Sequence, residues 1–380
     1  MAVTFSGGGY AGVTINIIQP APPGSYLWSW GDGGYGALGD GTTIDRSTPV
    51  QIGALTTWLR VAASSYGKLA TKTDGTMWTW GYGLGSSLGL GTTTNYSSPV
   101  QLGALTNWAG NADSFDSGGY HNAATKTDGT LWTWGNNYKG PLGLGNETNY
   151  NSPKQVGSLT NWLRVSAGFY RVCCAIKTDG TMWAWGRNNE GQVGDGTTTS
   201  RSSPTQIGAG TTWSQVSTGY NHNLATKTDG TLWSWGYNLV GNLGLGETAN
   251  RSSPVQIGAG TTWSKVFGGG NNSAAIKTDG TLWMWGLNNE GKLGLGNTTN
   301  RSSPVQVGAL TNWSSISMGA YITVSIKTDG TMWAWGDNAN GALGQGDTIS
   351  RSSPVQVGSL SAWTNVAAGG FYHTSAIAYY

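Results

Sequence analysis

The tetrad Trp-x-Trp-Gly is written seven times in this chain, and its spacing sets what the chain can fold into. It ends at Gly31, Gly81, Gly135, Gly186, Gly236, Gly286 and Gly336, at intervals of 50, 54, 51, 50, 50 and 50 residues. A third tryptophan accompanies each copy: Trp58, Trp108, Trp162, Trp213, Trp263, Trp313 and Trp363. Together these positions use all 21 tryptophans of the chain, so the residue type belongs to the framework and its rings are expected in the core. Repeats decide a fold before local propensities do.

Within a unit the phrase KTDGTLWSWG, residues 227–236, is the most repeated segment. Asp229-Gly230 separates two strand-forming runs, which predicts a hairpin on a two-residue turn with φ > 0 at both central positions. Trp233 and Trp235 share one face of the following strand, and Leu232 and Ser234 share the other. A strand apolar or small on both faces expects a sheet packed on each side. Around this hairpin the unit parses into four short strands, at 213–217, 222–228, 231–236 and 254–258, with no helical period. Seven such units, each about 40–50 residues long, predict an all-β, seven-bladed β-propeller of four-stranded antiparallel blades.

The ends of the repeat fit a closed ring. The first unit begins at YLWSWG (26–31) without a hairpin partner, and the last stops at SAIAYY (375–380) before any TDGTLW. The C-terminal segment supplies strands one and two of a shared blade and the N-terminal segment supplies three and four. Closure by pairing of these terminal strands removes two open sheet edges. Residues 26–380 are assigned to the propeller. Residues 1–25 are assigned to an N-terminal extension, with a strand-like VTINI (13–17) and a stiff PAPPG tether (20–24). The extension is expected either to pack across the propeller or to act as a peg that docks it onto a larger assembly.

Charged residues make up only 10% of the chain and the net charge is +2, so neither a nucleic-acid partner nor an anionic membrane is implied. No segment reads as a membrane-inserting span or as a secretory signal. The six KTDG lysines and the five repeat arginines Arg46, Arg201, Arg251, Arg301 and Arg351 are expected to pair with backbone carbonyls or neighbouring acids. Cys173 and Cys174 are adjacent on one strand, so they point to opposite faces and do not pair. No cofactor or metal site is expected.

The segment VSTGYNHNLATKTDGTLWSWGYNLVGNLGLGETANRSSPVQI resembles the repeat of the regulator of chromosome condensation family. Gly219, His222, Ala225, Trp235, Gly236, Asn238, Gly241, Leu243, Gly244 and Gly246 stand at the matching positions. The resemblance covers roughly residues 26–380 and implies a seven-bladed propeller. That family includes a nuclear GTPase exchange factor, ubiquitin-ligase modules and bacterial inhibitors of β-lactamase, so it implies no single activity; the chain reads as a bacterial or phage-like variant. The family's histidine is kept only at His121, His222 and His373; Gly67, Val172, Asn272 and Ile322 replace it elsewhere. No unit has room for an exchange factor's protruding wedge. The largest excess is about four residues, between Trp108 and His121, and the basic chromatin-binding tail is missing.

Catalytic constellations are missing as well. TDGTLW is similar to the Asp-box turn of sialidase propellers, but Arg60, Arg164, Arg171 and Arg187, left after the repeat arginines, show no sign of converging on a carboxylate. A Ser-His-Asp arrangement would need a histidine freed from its repeat position. The chain is therefore expected not to be an enzyme.

Variation is the better guide to function. The hairpin rim is nearly invariant from blade to blade. On the opposite rim the loops between first and second strands read SSYGK, GGYHN, GFYRV, GYNHN, GGNNS, GAYIT and GFYHT. Tyr66, Tyr120, Tyr170, Tyr220, Tyr321 and Tyr372 recur there, with Asn271 in the seventh place. Tyrosine offers a flat apolar body and a hydrogen-bonding tip, suited to sugars and to protein partners. Arg171, His121, His222 and His373 lie in or beside the same loops and are counted with the face, although their repeat position gives the histidines a structural role too. The expectation is a non-enzymatic binding module, displayed on a virion as a tail-fibre or spike attachment protein that contacts a host-surface glycan or protein. The alternative is a cytoplasmic or extracellular bacterial propeller that binds one protein, as an inhibitor or scaffold.

Overall fold

In the computed structural model, which describes residues 24–380 apart from 85, 86 and 112, the hairpin of the repeated phrase is the unit that everything else joins. Its first strand, His222–Lys227, pairs antiparallel with Leu232–Gly236. The turn differs from the two-residue expectation. Gly230 N donates to Lys227 O at 3.0 Å and only Gly230 has positive φ, at 76°. Thr228-Asp229-Gly230 is thus a type I turn closed by a left-handed glycine, the three-residue hairpin with a bulge. Asp-Gly serves both turn types, and here the glycine alone takes the left-handed position. A Cβ on it would lie 2.1 Å from Thr261 O of the next connection, which fixes glycine twice over.

The other letters of the phrase interlock. Asp229 Oδ1 accepts from Thr231 N and Thr231 Oγ1, and Thr231 Oγ1 accepts from Trp233 Nε1 at 2.8 Å. The Lys227 ammonium sits 4.0 Å from the Trp233 ring centroid and 4.8 Å from that of Trp213. The same lysine over the same pair of rings recurs at Lys72, Lys126, Lys177, Lys277 and Lys327. These lysines face indole rings rather than the carbonyls or acids expected of them. Four of the five repeat arginines pair with acids, Arg46 with Asp40, Arg201 with Asp195, Arg251 with Glu247 and Arg351 with Asp347, whereas Arg301 has Asn297 where Arg251 and Arg351 have their acid.

Flanking strands Trp213–Thr218 and Arg251–Gln256 complete a four-stranded sheet, the last beginning three residues before the expected Pro254. Seven such sheets form the ring. The seventh is built from both ends of the chain: Ser25–Gly31 pairs with His373–Tyr379 in continuous register from Ser25 opposite Tyr379 to Gly31 opposite His373. The ring is closed as expected. Ser25 and Tyr379 both lie on the hairpin rim, where Ser25 N donates to Thr56 O. The strand-like segment at 13–17 and most of the tether lie outside the described residues.

The core lies between blades. Cys174, Ile176, Met182 and Val193 of one blade pack against Trp213, Val216 and Trp235 of the next. Cys173 enters the cluster on the other side of its sheet, and both thiols are free. The second tryptophan of each signature is fully buried, whereas the first, such as Trp233, is half-buried beneath its lysine. Trp235 Nε1 donates to Gln192 O of the preceding blade at 2.9 Å. Gly194 of that blade lies flat on the same indole; a Cβ there would sit 2.7 Å from Nε1. The Gly191-Gln192-Val193-Gly194 loop, Gly-x-Leu-Gly in five of the other six blades, is thus a latch onto the next blade. Its shape is held by a buried asparagine: Asn188 accepts from Val193 N and donates to Thr197 O and Thr199 O. The equivalents Asn137, Asn288 and Asn338 are also fully buried.

Candidate functional site

The loops between first and second strands converge where the inner strands end. In most blades the loop is closed over three residues, as where Gly219 N donates to His222 O at 2.8 Å. In two blades it is one residue longer, closed by Gly168 N to Val172 O and by Gly369 N to His373 O. The extra residue in each case is absorbed by a non-glycine left-handed conformation, Arg171 at φ 68° and Tyr372 at φ 50°. Such backbone is sparsely populated and persists only where its surroundings enforce it. The two longer loops present Phe169 and Phe371.

These two phenylalanines are the centre of the site, and the recurring tyrosine beside each masks them in the sequence. Their rings meet edge-on with centroids 5.5 Å apart. Phe169 stacks on Tyr220 at 4.0 Å and touches Tyr170 and Tyr120. Phe371 stacks on Tyr66 at 5.2 Å and touches Tyr321, which stacks on Tyr372 at 5.0 Å. Tyr66 continues the patch outward to Tyr82 and to the exposed Tyr35. All six expected tyrosines therefore belong to one aromatic surface. Each is half-buried. Aromatic pairs in these geometries contribute about 0.5–1.5 kcal/mol each beyond burial.

The tyrosines are not equivalent, however. Tyr66, Tyr120, Tyr321 and Tyr372 immediately precede the second strand, as Asn271 does, whereas Tyr170 and Tyr220 stand one residue earlier. The positions immediately before the strand in those two blades are Arg171 and Asn221. Arg171 lies on the patch, its guanidinium 5.7 Å from the Tyr120 ring and 5.3 Å from the exposed Tyr138 ring. Asn271 is half-buried and marks the blade that contributes no aromatic ring. Burial pushes the phenol pKa values of Tyr66, Tyr220 and Tyr372 above the ordinary tyrosine value, so all three present neutral hydroxyls.

The histidines do not reach this surface. His121, His222 and His373 are buried under the loops and bond across blade boundaries. His121 Nε2 meets Cys173 Sγ at 3.2 Å, His222 Nε2 meets Ser273 Oγ at 2.8 Å and His373 Nε2 meets Ser65 O at 3.0 Å. Burial lowers the His121 pKa to about 3 and that of His222 to about 4. His373 is lowered well below its ordinary value by burial and by Lys68, which contacts its Nδ1. They are neutral rivets between blades, not contacts for a partner.

Beneath the aromatic surface a central cavity of about 740 Å³ is lined by the inner strands. Its walls run from Phe169, Tyr220 and Gly370 at the aromatic end to Asp329, Gly330 and Tyr379 at the hairpin rim. Backbone bonds from loop to loop tighten the aromatic end, among them Tyr220 N to Gly269 O, Ala320 N to Gly370 O and Gly370 N to Ser64 O. Arg60 and Arg164, for which the sequence showed no convergence, both line this cavity.

A closed ring of seven tryptophan-riveted blades with one variable aromatic rim is a propeller of the RCC1 type. The chain belongs to the regulator of chromosome condensation family: the RCC1-like domain matches residues 117–379, and RCC1 repeats match residues 26–70 and 74–125. Among curated relatives, the E3 ubiquitin-protein ligase HERC2 of Homo sapiens is 29% identical over 204 residues, covering 52% of this chain and 3% of HERC2. Protein RCC2 of Homo sapiens is 37% identical over 89 residues, covering 23% of this chain and 17% of RCC2. The chain thus spans a small part of the relatives it matches. Among solved structures, human WBSCR16 superposes with a TM-score of 0.82 at 21% identity, covering 93% of this chain and 99% of that one. Prp20p from Saccharomyces cerevisiae does so with a TM-score of 0.82 at 17% identity, covering 94% and 92%. At these identities the structures share the fold.

Proposed function

We propose that the propeller is a non-enzymatic binding module whose partner lies on the rim formed by Tyr66, Tyr120, Phe169, Tyr170, Tyr220, Tyr321, Phe371 and Tyr372. The observation that carries this reading is the continuity of the aromatic patch on the one rim whose loops vary. A framework that repeats itself while one rim diverges spends its variation where a partner is met. Half-buried rings on held backbones lose little freedom on binding, which favours recognition.

The chain's first described strand starts on the opposite rim, at Ser25. A tether through residues 1–25 would therefore hold the hairpin rim inward and turn the aromatic rim outward. This supports a display role, that of a virion-surface attachment protein contacting a host glycan or surface protein. The second reading, a propeller that binds a single protein, draws on two structures of one relative, yeast Prp20. The Prp20p structure is described together with its binding to Gsp1p and histones, and yeast RCC1 has been crystallised with Kap60.

The purified chain, immobilised, separates these readings when it is offered a panel of bacterial surface polysaccharides in parallel with a cell lysate. Retention of one polysaccharide class supports attachment. Stoichiometric retention of one protein supports the second reading. Retention unaffected by alanine at both Phe169 and Phe371 would refute the aromatic rim in either case.

A further inference from the structure

The position two residues after each opening tryptophan points into the central cavity. Across the blades it reads Arg60, Arg164, Gln215, Lys265, Ser315 and Asn365, all of which line the cavity. The remaining blade carries the excess before its inner strand, and from that excess comes Asp113, in a left-handed conformation at φ 62°. Asp113 pairs with Arg164 of the neighbouring blade. Its charge also reaches Arg60 and Lys265. One carboxylate thus stands among three cations from three different blades.

Two further acids line the cavity wall: Asp329 lies at the hairpin rim beside Lys327 of its own blade, and Asp116, whose charge also reaches Arg60, is committed to other donors. Asp116 is already engaged by Ala167 N at 2.9 Å, Ser117 N at 2.8 Å and Ser166 Oγ at 3.0 Å. Burial raises its pKa above the ordinary carboxylate value. Arg60 has no ion-pair partner among the described residues, and its Nε is buried with no hydrogen bond. Its guanidinium rests 5.8 Å from the Phe115 ring centroid, which orients the plane without neutralising it. Lys265 donates to the backbone oxygen of Ser314, again without a carboxylate. A guanidinium presents five donors in a fixed fork that matches an oxyanion, and leaving such donors unused in a confined space is costly.

We infer that the central cavity is an oxyanion site, entered from the hairpin rim, in which Arg60 and Lys265 hold a small multivalent carboxylate or phosphate against the Asp113–Arg164 pair. The site is distinct from the aromatic rim and does not depend on it. The volume of about 740 Å³ admits a small organic anion. Entry from the hairpin rim follows from the tightened loop belt at the other end. Asp113 acts as a built-in competitor: it holds Arg164, limits the net positive charge and restricts the site to anions of more than one charge. The shared chemistry is the oxyanion, and its source, citrate-like or phosphate-like, is left to the assay.

Calorimetric titration of the full chain with inorganic pyrophosphate and, separately, with citrate at low ionic strength tests this. At least one is expected to bind in a salt-sensitive manner, and their relative affinities distinguish the two sources. Arg60→Gln is expected to weaken the better ligand roughly ten- to a hundredfold, and Asp113→Asn to strengthen it. Leu239→Ala, an exposed side chain of an outer loop away from the cavity, is expected to leave it unchanged. Should Arg60→Gln not fold, Lys265→Gln takes its place with the same expected direction. No binding of either anion, or equal binding by the parent, Arg60→Gln and Lys265→Gln proteins, overturns the inference.

Discussion

The two tryptophans of one signature make different predictions from the same face of one strand. Trp235 is fully buried, donates to Gln192 O of the preceding blade and supports Gly194 of the latch. Replacing it with alanine removes a whole indole from the inter-blade core, at about 3–5 kcal/mol. The lost hydrogen bond adds little beyond about 1 kcal/mol, because Gln192 O still receives Asn223 Nδ2 at 2.6 Å and is not orphaned. Trp233 is half-buried, and its alanine variant gives up part of its packing, one bond to Thr231 and the Lys227 contact. The Lys227 contact contributes about 0.5–1 kcal/mol and the total is about 1–2 kcal/mol. Against a domain stability of about 5–15 kcal/mol, the first change is severe and the second mild. Urea unfolding followed by far-ultraviolet circular dichroism measures both on one scale, with the slope checked for constancy. Trp235→Ala should lower the midpoint at least twice as far as Trp233→Ala. Equal shifts would refute the view that the signature exists to latch neighbouring blades.

Three further outcomes follow from the same structure. Removal of residues 363–380 deletes two strands of the shared blade, including Trp363 and Ile377 from its cores, and should leave the protein insoluble or without a cooperative transition; a truncated chain melting near the parent temperature would mean that the ring closes otherwise. Deletion of residues 1–19 should leave the melting temperature unchanged while abolishing incorporation into a larger assembly, and a lower melting temperature would assign them to the propeller instead. The His121 and His222 pKa values are depressed by burial, so the unfolded chain binds more protons below about pH 6.5; stability is full above that pH and should fall as the pH drops toward about 4 for His222 and about 3 for His121. His222→Asn, which copies Asn272 of the next blade, should flatten that dependence in urea titrations at pH 7 and pH 5.

Much of the fold was legible because the repeat writes it seven times over. The strand count, the closure through Ser25–Gly31 and His373–Tyr379, and the opposite burial of Cys173 and Cys174 follow from period and alternation alone. The turn at Thr228-Asp229-Gly230 did not, since Asp-Gly fits two hairpin geometries, and which of its two residues takes the left-handed conformation is visible only in the backbone. The tyrosine rim was legible as a column of letters, but its centre was missed. Phe169 and Phe371 stand in loops one residue longer than the rest, and only the spacing from glycine to second strand records that. Arg60, Arg164 and Lys265 share one register position, yet their meeting depends on ring curvature, which brings distant blades to a common axis. His121, His222 and His373 sit next to the rim in sequence and under it in space, because strand alternation turns them inward.

The measurement that tests the central claim most directly changes Tyr120, Tyr170, Tyr220 and Tyr372 together to alanine and compares binding and melting with the parent. The comparison protein carries alanine at Leu55 and Leu105, exposed residues of the opposite rim. Each ring contributes weakly and many sites on a repeating surface polymer add by avidity, so binding of a retained polysaccharide or protein should collapse in the tyrosine variant. Its melting temperature should fall, because five aromatic pairs are lost, but the unfolding transition should stay cooperative, and the leucine variant should bind as the parent does. A tyrosine variant that folds and still binds at parental strength would contradict the account and move the partner to the hairpin rim.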